Sequence, residues 1–329
     1  MEKDDHLSVV MLPWSAFGHM MPFFQLSIAL PKAKVHVSFI STPKNIKRSQ
    51  NLARFTTLCA ITEATVDIPF ENTDNLKIAY DLLQKPIKQF IADRLPDWII
   101  TDFAAHWVVE IGREYGVPLV YFSVFSAATR LVFRSSGNLS SGNTNDVLPS
   151  LESLTLPPDL VTFQSTVAFR EHEAVRMHAG FYGGNESGIS DAERNAKILS
   201  ACQVLAVRSC DEFEGEYLEA YKNNSGKLKF PLIYEWLDKQ KARSVVFVGL
   251  LEEKGMAVEV KRRGDGSFSR DDIAKRLRHA MVEEGGEQLR SNARKAGTVF
   301  GNHKLHQDHY IGQFVNFLKN NTTERSSCF

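Results

Sequence analysis

The sequence predicts an α/β protein: a doubly wound parallel sheet, followed by a smaller second unit. Three observations carry this. Short apolar runs (Val9-Val10-Met11-Leu12, Trp98-Ile99-Ile100, residues 117–122 and 204–208) alternate with stretches whose apolar residues recur at helical spacing. The runs are unbroken, as in strands covered on both faces. A chain of 329 residues, 43% hydrophobic and 24% charged, also exceeds what one core usually fills.

Taken in order, residues 9–14 form the first strand and turn through Ser15-Ala16-Phe17-Gly18, where Gly18 permits a sharp bend. His19 then stands at the mouth of a helix striped by Met20, Phe23, Phe24 and Ile28. Residues 35–41 are the second strand, closed by the polar turn Thr42-Pro43-Lys44-Asn45. Leu76, Ala79, Tyr80, Leu83, Ile87 and Phe90 mark one helix, bent near Pro86. Residues 98–101 form a buried strand ending at Asp102. Trp107, Val108, Ile111 and Tyr115 mark a helix that Gly116 stops, and residues 117–122 return as a strand. Residues 134–158, rich in Ser, Gly, Asn and Pro, read as a surface excursion. A helical stretch then leads to a strand over 204–208 and a helix opening at Ser209.

The first domain is expected to span residues 1–230, with a linker by composition at 222–227, and the second to span 231–329. Within the second, residues 235–240 read as a short helix and 244–249 as a strand. Residues 250–255 read as a helix stopped by Gly255, and 256–260 as another strand. A parallel crossover containing its helix takes about a dozen residues or more. The interval 250–255 is too short for one, so part of the usual unit is missing there. Ser269 and Asp272 make a capping box for a helix striped by Ile273, Leu277 and Met281 and ended by Gly285-Gly286. Leu289, Ala293 and Ala296 mark the next helix. Ile311, Phe314, Val315 and Leu318 mark the last, which is expected to pack back on the first domain.

Thirty-nine basic against 39 acidic side chains leave no net charge to attract nucleic acid or a membrane surface, so the expected partner is a small molecule. The charged start MEKDDH leads straight into a strand with no apolar leader, which points to the cytoplasm. Cys59, Cys202, Cys210 and Cys328 form no C-x-x-C pair. His303, His306 and His309 lie three apart with no obvious carboxylate or cysteine to complete a site, so they read as a solvated face and no metal is expected. Gly183 and Gly188 have the outer spacing of a phosphate loop but lack its lysine, and neither G-x-S-x-G nor G-x-G-x-x-G occurs.

The remaining constellation is His19 with Asp102, each at the carboxyl end of a strand in one predicted sheet. On neighbouring strands, Asp102 accepts one imidazole N–H, and the other nitrogen can take a proton from a bound hydroxyl. The alternative is an aspartate that merely caps the following helix. Phe17, Gly18, Ser123 and Ser126 sit at or just past strand ends and are candidates for lining the cleft, or ordinary turn and packing residues.

The segments VVMLPWSAFGHMMPFFQLSIAL, PDWIITDFAAHWVVEIGREYGVPLVYFSVFSAAT, AVRSCDEFEGEYLEAY, EWLDKQKARSVVFVG and FSRDDIAKRLRHAMV resemble the plant uridine-diphosphate-sugar glycosyltransferases. The branch resembled includes rhamnosyltransferase-like enzymes acting on flavonoid or terpenoid glycosides. The resemblance implies a GT-B fold, with the acceptor on the first Rossmann-like domain and a UDP-sugar co-substrate on the second. It also implies inverting transfer without a metal or other cofactor, with His19 as general base and Asp102 as its carboxylate partner. Family members carry W-A-P-Q, H-C-G-W-N-S and D-Q segments where this chain passes directly from Gly249 to Leu250, which leaves Gly249 as the donor-site remnant. The second domain is therefore expected to be truncated. Two readings stay open: a transferase by descent, or a catalytically silent protein that keeps an acceptor pocket or partner surface.

Overall fold

A computed structural model describes residues 7–42, 45, 73–135, 149–223, 228–231, 249–260 and 267–322. Six parallel strands, β1 (Leu7–Leu12), β2 (Val35–Phe39), β3 (Trp98–Thr101), β4 (Leu119–Ser123), β5 (Val204–Val207) and β6 (Leu228–Pro231), form one sheet in the order β2-β1-β3-β4-β5-β6. The order reverses between β1 and β3, where Leu12 lies in register with Thr101. Chain leaving these two strands diverges to opposite sides, which opens a crevice at their carboxyl ends.

Period-two alternation divides the strands between two cores. Val10, Leu12, Ile99, Leu119, Tyr121, Leu205 and Val207 face one layer, with Tyr80, Ile87, Val108, Leu131, Ile198 and Leu218 from the helices. Val9, Met11, Trp98, Ile100, Val120, Phe122 and Ala206 face the other, against Phe23, Leu26 and Leu30 of helix Phe17–Lys32. Ile311, Phe314, Val315 and Leu318 from the end of the chain complete that second layer. Trp98 Nε1 donates to the Leu318 carbonyl, fixing the last helix, Gly312–Asn320, to the centre of the sheet.

Several expectations change. The first strand ends at Leu12, and Gly18 lies inside helix Phe17–Lys32 rather than in the turn before it. Its φ is not positive, unlike those of Gly116, Gly188 and Gly255, so no bend depends on it. The buried stripe of this helix runs through Met20, Phe23, Leu26 and Leu30, while Phe24 and Ile28 are half-buried. The single bent helix is two, Thr73–Asp81 and Gln84–Arg94, with Pro86 in the first turn of the second, where its missing N–H costs nothing. Helix Ala127–Ser135 covers the start of the expected excursion, of which residues 136–148 lie outside the described residues. Strand β6 follows the expected linker, and the expected helix at 235–240 and strand at 244–248 lie outside the described residues.

Gly249 opens helix Gly249–Glu253 instead of ending a strand, and Gly255 at φ 63° stops it. Residues 256–260 form no strand. The N–H groups of Met256 and Ala257 both turn back to the Leu251 carbonyl, so no sheet edge receives them. The Ser269–Asp272 capping box is present, with Asp272 N–H donating to Ser269 Oγ at 3.1 Å. Helices Arg270–Met281 and Glu287–Phe300 bury none of their residues, and Leu277 is 56% exposed. Of the three histidines, His303 and His309 are exposed but His306 is buried and bonded through Nε2 to the Val299 carbonyl, which corrects its place on a solvated face. Among the described residues, no helix is long and apolar enough to cross a membrane.

Candidate active site at the switch point of the sheet

The parallel register of β1 and β3 is what brings His19 to Asp102. Thr101 Oγ1 donates to the Leu12 carbonyl at 3.0 Å, tying the two strand ends together. The chain from β1 runs through Pro13 to Ala16 into the helix, and the Ala16 carbonyl accepts both His19 N–H and Met20 N–H at 2.9 Å. His19 thus occupies the first helical turn directly above the strand ends. Asp102, the first residue beyond β3, is 1% exposed.

His19 Nδ1 lies 3.0 Å from Asp102 Oδ2. The same oxygen accepts the Trp14 N–H at 2.8 Å, and Oδ1 accepts the Ala104 N–H at 3.1 Å. These two amides hold the carboxylate whether or not a ligand is present. A carboxylate acceptor at Nδ1 places the imidazole proton there and leaves Nε2 as the basic nitrogen. The rings of Phe103, 5.3 Å from the imidazole, and Phe125, edge-on at 5.7 Å, flank it. The His19 side chain is 16% exposed.

A cavity of about 1780 Å³ lies beyond it. Trp14, Phe103, Phe125, Phe133, Phe169 and Phe181 give its wall an aromatic character. Of the sequence candidates, His19 and Ser126 line it. Phe17 is 46% exposed outside it, Gly18 is beside Phe17, and Ser123 is 1% exposed with its hydroxyl donating to the Phe125 carbonyl. Gly249 is not in the wall, but Leu250, Leu251 and Glu252 of its helix are. That helix is held by Glu253, which accepts from Thr166 N–H at 2.7 Å and Ser165 Oγ at 2.9 Å, and by Glu252 against Arg170 at 3.3 Å.

Sequence reasoning missed the arginines and the buried carboxylate of the wall. Glu214, 1% exposed, accepts from the N–H groups of Ala127 and Ala128 at 3.2 Å and from Ser209 Oγ at 2.5 Å. Burial pushes its carboxyl up from the ordinary glutamate range, with the Ser209 bond opposing. Arg130, 4% exposed, lies within the apolar stretch Ala127–Phe133, where a lone cation at helical spacing was the available signal. Behind the site, Arg194 donates to Asp81 Oδ1 and to the Ala104 carbonyl at 2.8 and 2.9 Å, bracing the loop that carries Asp102. Burial, then the Arg194 charge, pushes the neighbouring His106 imidazole down.

The fold is that of the GT-B glycosyltransferases, whose solved structures the chain matches. A UDP-glucosyltransferase from Polygonum tinctorium superposes with a TM-score of 0.65 at 11% identity, covering 95% of this chain and 98% of that one. Os79 from O. sativa gives 0.68 at 12%, covering 94% and 100%. No protein-family model matches the chain. In sequence, UDP-glycosyltransferase 91C1 of Arabidopsis thaliana is 34% identical over 292 residues, 78% of this chain and 62% of that protein. UDP-glycosyltransferase 91A1 of the same plant is 32% identical over 284 residues, 75% and 59%. The chain is similar in sequence to these plant UDP-glycosyltransferases, and it spans about three-fifths of their length. An alignment with soyasaponin III rhamnosyltransferase of Glycine max covers 96% of both proteins at 25% identity over 462 residues. This chain has 329, so that alignment bridges gaps within it.

Proposed function

We propose that the chain is a UDP-glycosyltransferase by descent, built to move a sugar from a UDP-sugar to a hydroxyl of a small plant metabolite such as a flavonoid, a terpenoid or one of their glycosides. The observation that carries this is the Asp102 carboxylate on His19 Nδ1 at the rim of an aromatic cavity. On this reading residues 1–230 hold the acceptor, and residues 231–329 are what remains of the nucleotide-sugar unit. The setting is cytoplasmic, with no nucleic-acid, membrane, metal or cofactor partner.

The acceptor hydroxyl gives its proton to His19 Nε2 while its oxygen bonds to the anomeric carbon, and the bond from that carbon to UDP breaks from the opposite side, inverting the centre. Asp102 stabilises the imidazolium as it forms and keeps the ring oriented. The Trp14 and Ala104 amides keep the carboxylate in place.

The second reading is a silent acceptor-binding protein. It is favoured by the 462-residue alignment against a 329-residue chain and by Gly249–Glu253 opening a helix where the donor segments of family members would begin. Calorimetry with UDP and UDP-glucose separates the two. Micromolar binding with slow turnover of a phenolic acceptor supports the transferase, and no heat with either nucleotide supports the silent form.

A further inference from the structure

We infer that the inner wall of the cavity holds a subsite for a carboxylate on the ligand, read by Arg130 and Asn195. Both side chains line the cavity that His19 opens into, at 4% and 1% exposure. The inference rests on reading that cavity as an acceptor pocket.

Arg130 carries a buried positive charge, and among the described residues no carboxylate lies within ion-pair distance of it. Its neighbours are neutral. Nη1 reaches Asn195 Oδ1 at a long 3.4 Å, the guanidinium lies 5.4 Å from the centre of the Tyr121 ring, and the Tyr221 hydroxyl bonds to it. Nε has no partner. The charged groups nearby are occupied elsewhere: Glu214 takes two backbone amides and Ser209, Asp81 takes Arg194, and Asp191 takes Lys77 at 3.0 Å. An unpaired buried charge is one of the costliest features a fold can carry.

Asn195 supplies the second half. Its Oδ1 accepts the Tyr121 hydroxyl at 2.7 Å as well as Arg130, which fixes the amide with Nδ2 as a donor, and Nδ2 has no partner. A guanidinium beside an amide N–H, both short of acceptors, is complementary to a planar anion with two oxygens. The aromatic wall suits a ligand that is otherwise flat and apolar. A diphosphate would need several cations together or a run of open backbone amides, and of the other cations in the wall Lys77 and Arg170 are already paired with carboxylates.

The test is binding of 4-hydroxycinnamate and its methyl ester to the full chain, read by calorimetry or by tryptophan fluorescence. The two probes share the ring and the hydroxyl and differ by one charge. The acid should bind about tenfold or more tightly than the ester. Arg130→Gln should abolish the difference, and Arg130→Lys should keep part of it. Arg130→Met should melt at or above the parent temperature, since it removes a charge the free protein cannot pair, whereas an arginine kept for structure would melt lower on replacement. UDP affinity should be the same in Arg130→Gln as in the parent. Equal affinity for acid and ester in the parent overturns the subsite whatever the variants do. So does a preference that survives Arg130→Gln, and a loss of UDP binding in that variant overturns the choice of carboxylate over diphosphate. A chain that prefers the acid but neither binds UDP nor transfers sugar keeps this inference and refutes the transferase. One that glycosylates acid and ester equally does the reverse.

Discussion

Trp98 Nε1 donates to the Leu318 carbonyl at 3.1 Å, joining the third strand to the last helix across 220 positions of sequence. Around that bond Ile311, Phe314, Val315 and Leu318 close the second core layer. Phe314 is fully buried there. Phe314→Ala should cost about 3–5 kcal/mol by urea denaturation, the usual range for an aromatic removed from a packed core. A loss below about 1 kcal/mol would mean that the helix is only loosely attached.

Asp102 satisfies two backbone amides as well as His19, so its removal should be felt in both stability and chemistry. Asp102→Ala leaves the Trp14 and Ala104 N–H groups buried and unpaired, at about 1–3 kcal/mol each. His19→Ala, which strands no backbone group, should leave stability within about 1 kcal/mol. In any form of the chain that turns over, it should cut the rate at least about a hundredfold. Equal rates for His19→Ala and parent would remove the histidine from the reaction.

Acid should weaken the fold through His306 and His106, both pushed below the ordinary histidine value of 6.5 chiefly by burial. The unfolded chain takes up protons below about 6.5 that the folded imidazoles refuse. Their contribution is therefore full above 6.5 and is lost as the pH falls from there toward the lower folded values. Urea midpoints measured from pH 7.5 to 5.0 should fall, and His306→Gln should flatten the slope. An unchanged slope would show that His306 is not held neutral.

Two glycines in helices should respond in opposite ways to alanine. A Cβ on Gly112 would lie 2.8 Å from the Val117 carbonyl oxygen and 3.1 Å from Leu119 Cδ2, so Gly112→Ala should destabilise by about 1–3 kcal/mol. A Cβ on Gly18 meets nothing within 4 Å, and Gly18→Ala should gain up to about 1 kcal/mol from helix propensity. Thermal melts of the two variants check the contrast.

The stripe on Arg270–Met281 should be removable without loss of stability. Leu277, at 56% exposure, becomes a lysine for less than about 0.5 kcal/mol, and the variant should stay soluble at higher concentration than the parent. A large stability loss would show that the stripe is covered in solution.

The first unit was legible because its signals are local and reinforce one another. The unbroken run at residues 98–101 could only be a doubly covered strand, and Gly116 at φ 63° ends its helix where the periodic pattern stops. The His19 and Asp102 pairing was legible for a different reason: in a doubly wound sheet, strand ends on either side of the reversal must meet. Residues 256–260 failed because a β-rich pentamer needs a neighbour to pair with, and pairing is not written in the pentamer. Ile273, Leu277 and Met281 failed likewise, since a stripe announces a face and not what covers it. Phe24 and Ile28 show that spacing identifies a helix better than it chooses the side turned inward. Arg130 could be found only from a wall assembled from distant segments.

The closing of the second core layer by residues 311–318 has a consequence for biosynthesis. A ribosome releases Leu7 through Val207 long before Ile311, so the nascent sheet emerges with part of one broad side bare. That side is finished only once residues 311–318 have left the exit tunnel. Chains stopped before Ile311 by a nonsense codon should therefore be drawn to chaperones and degraded, even when all six described strands and both His19 and Asp102 have been made.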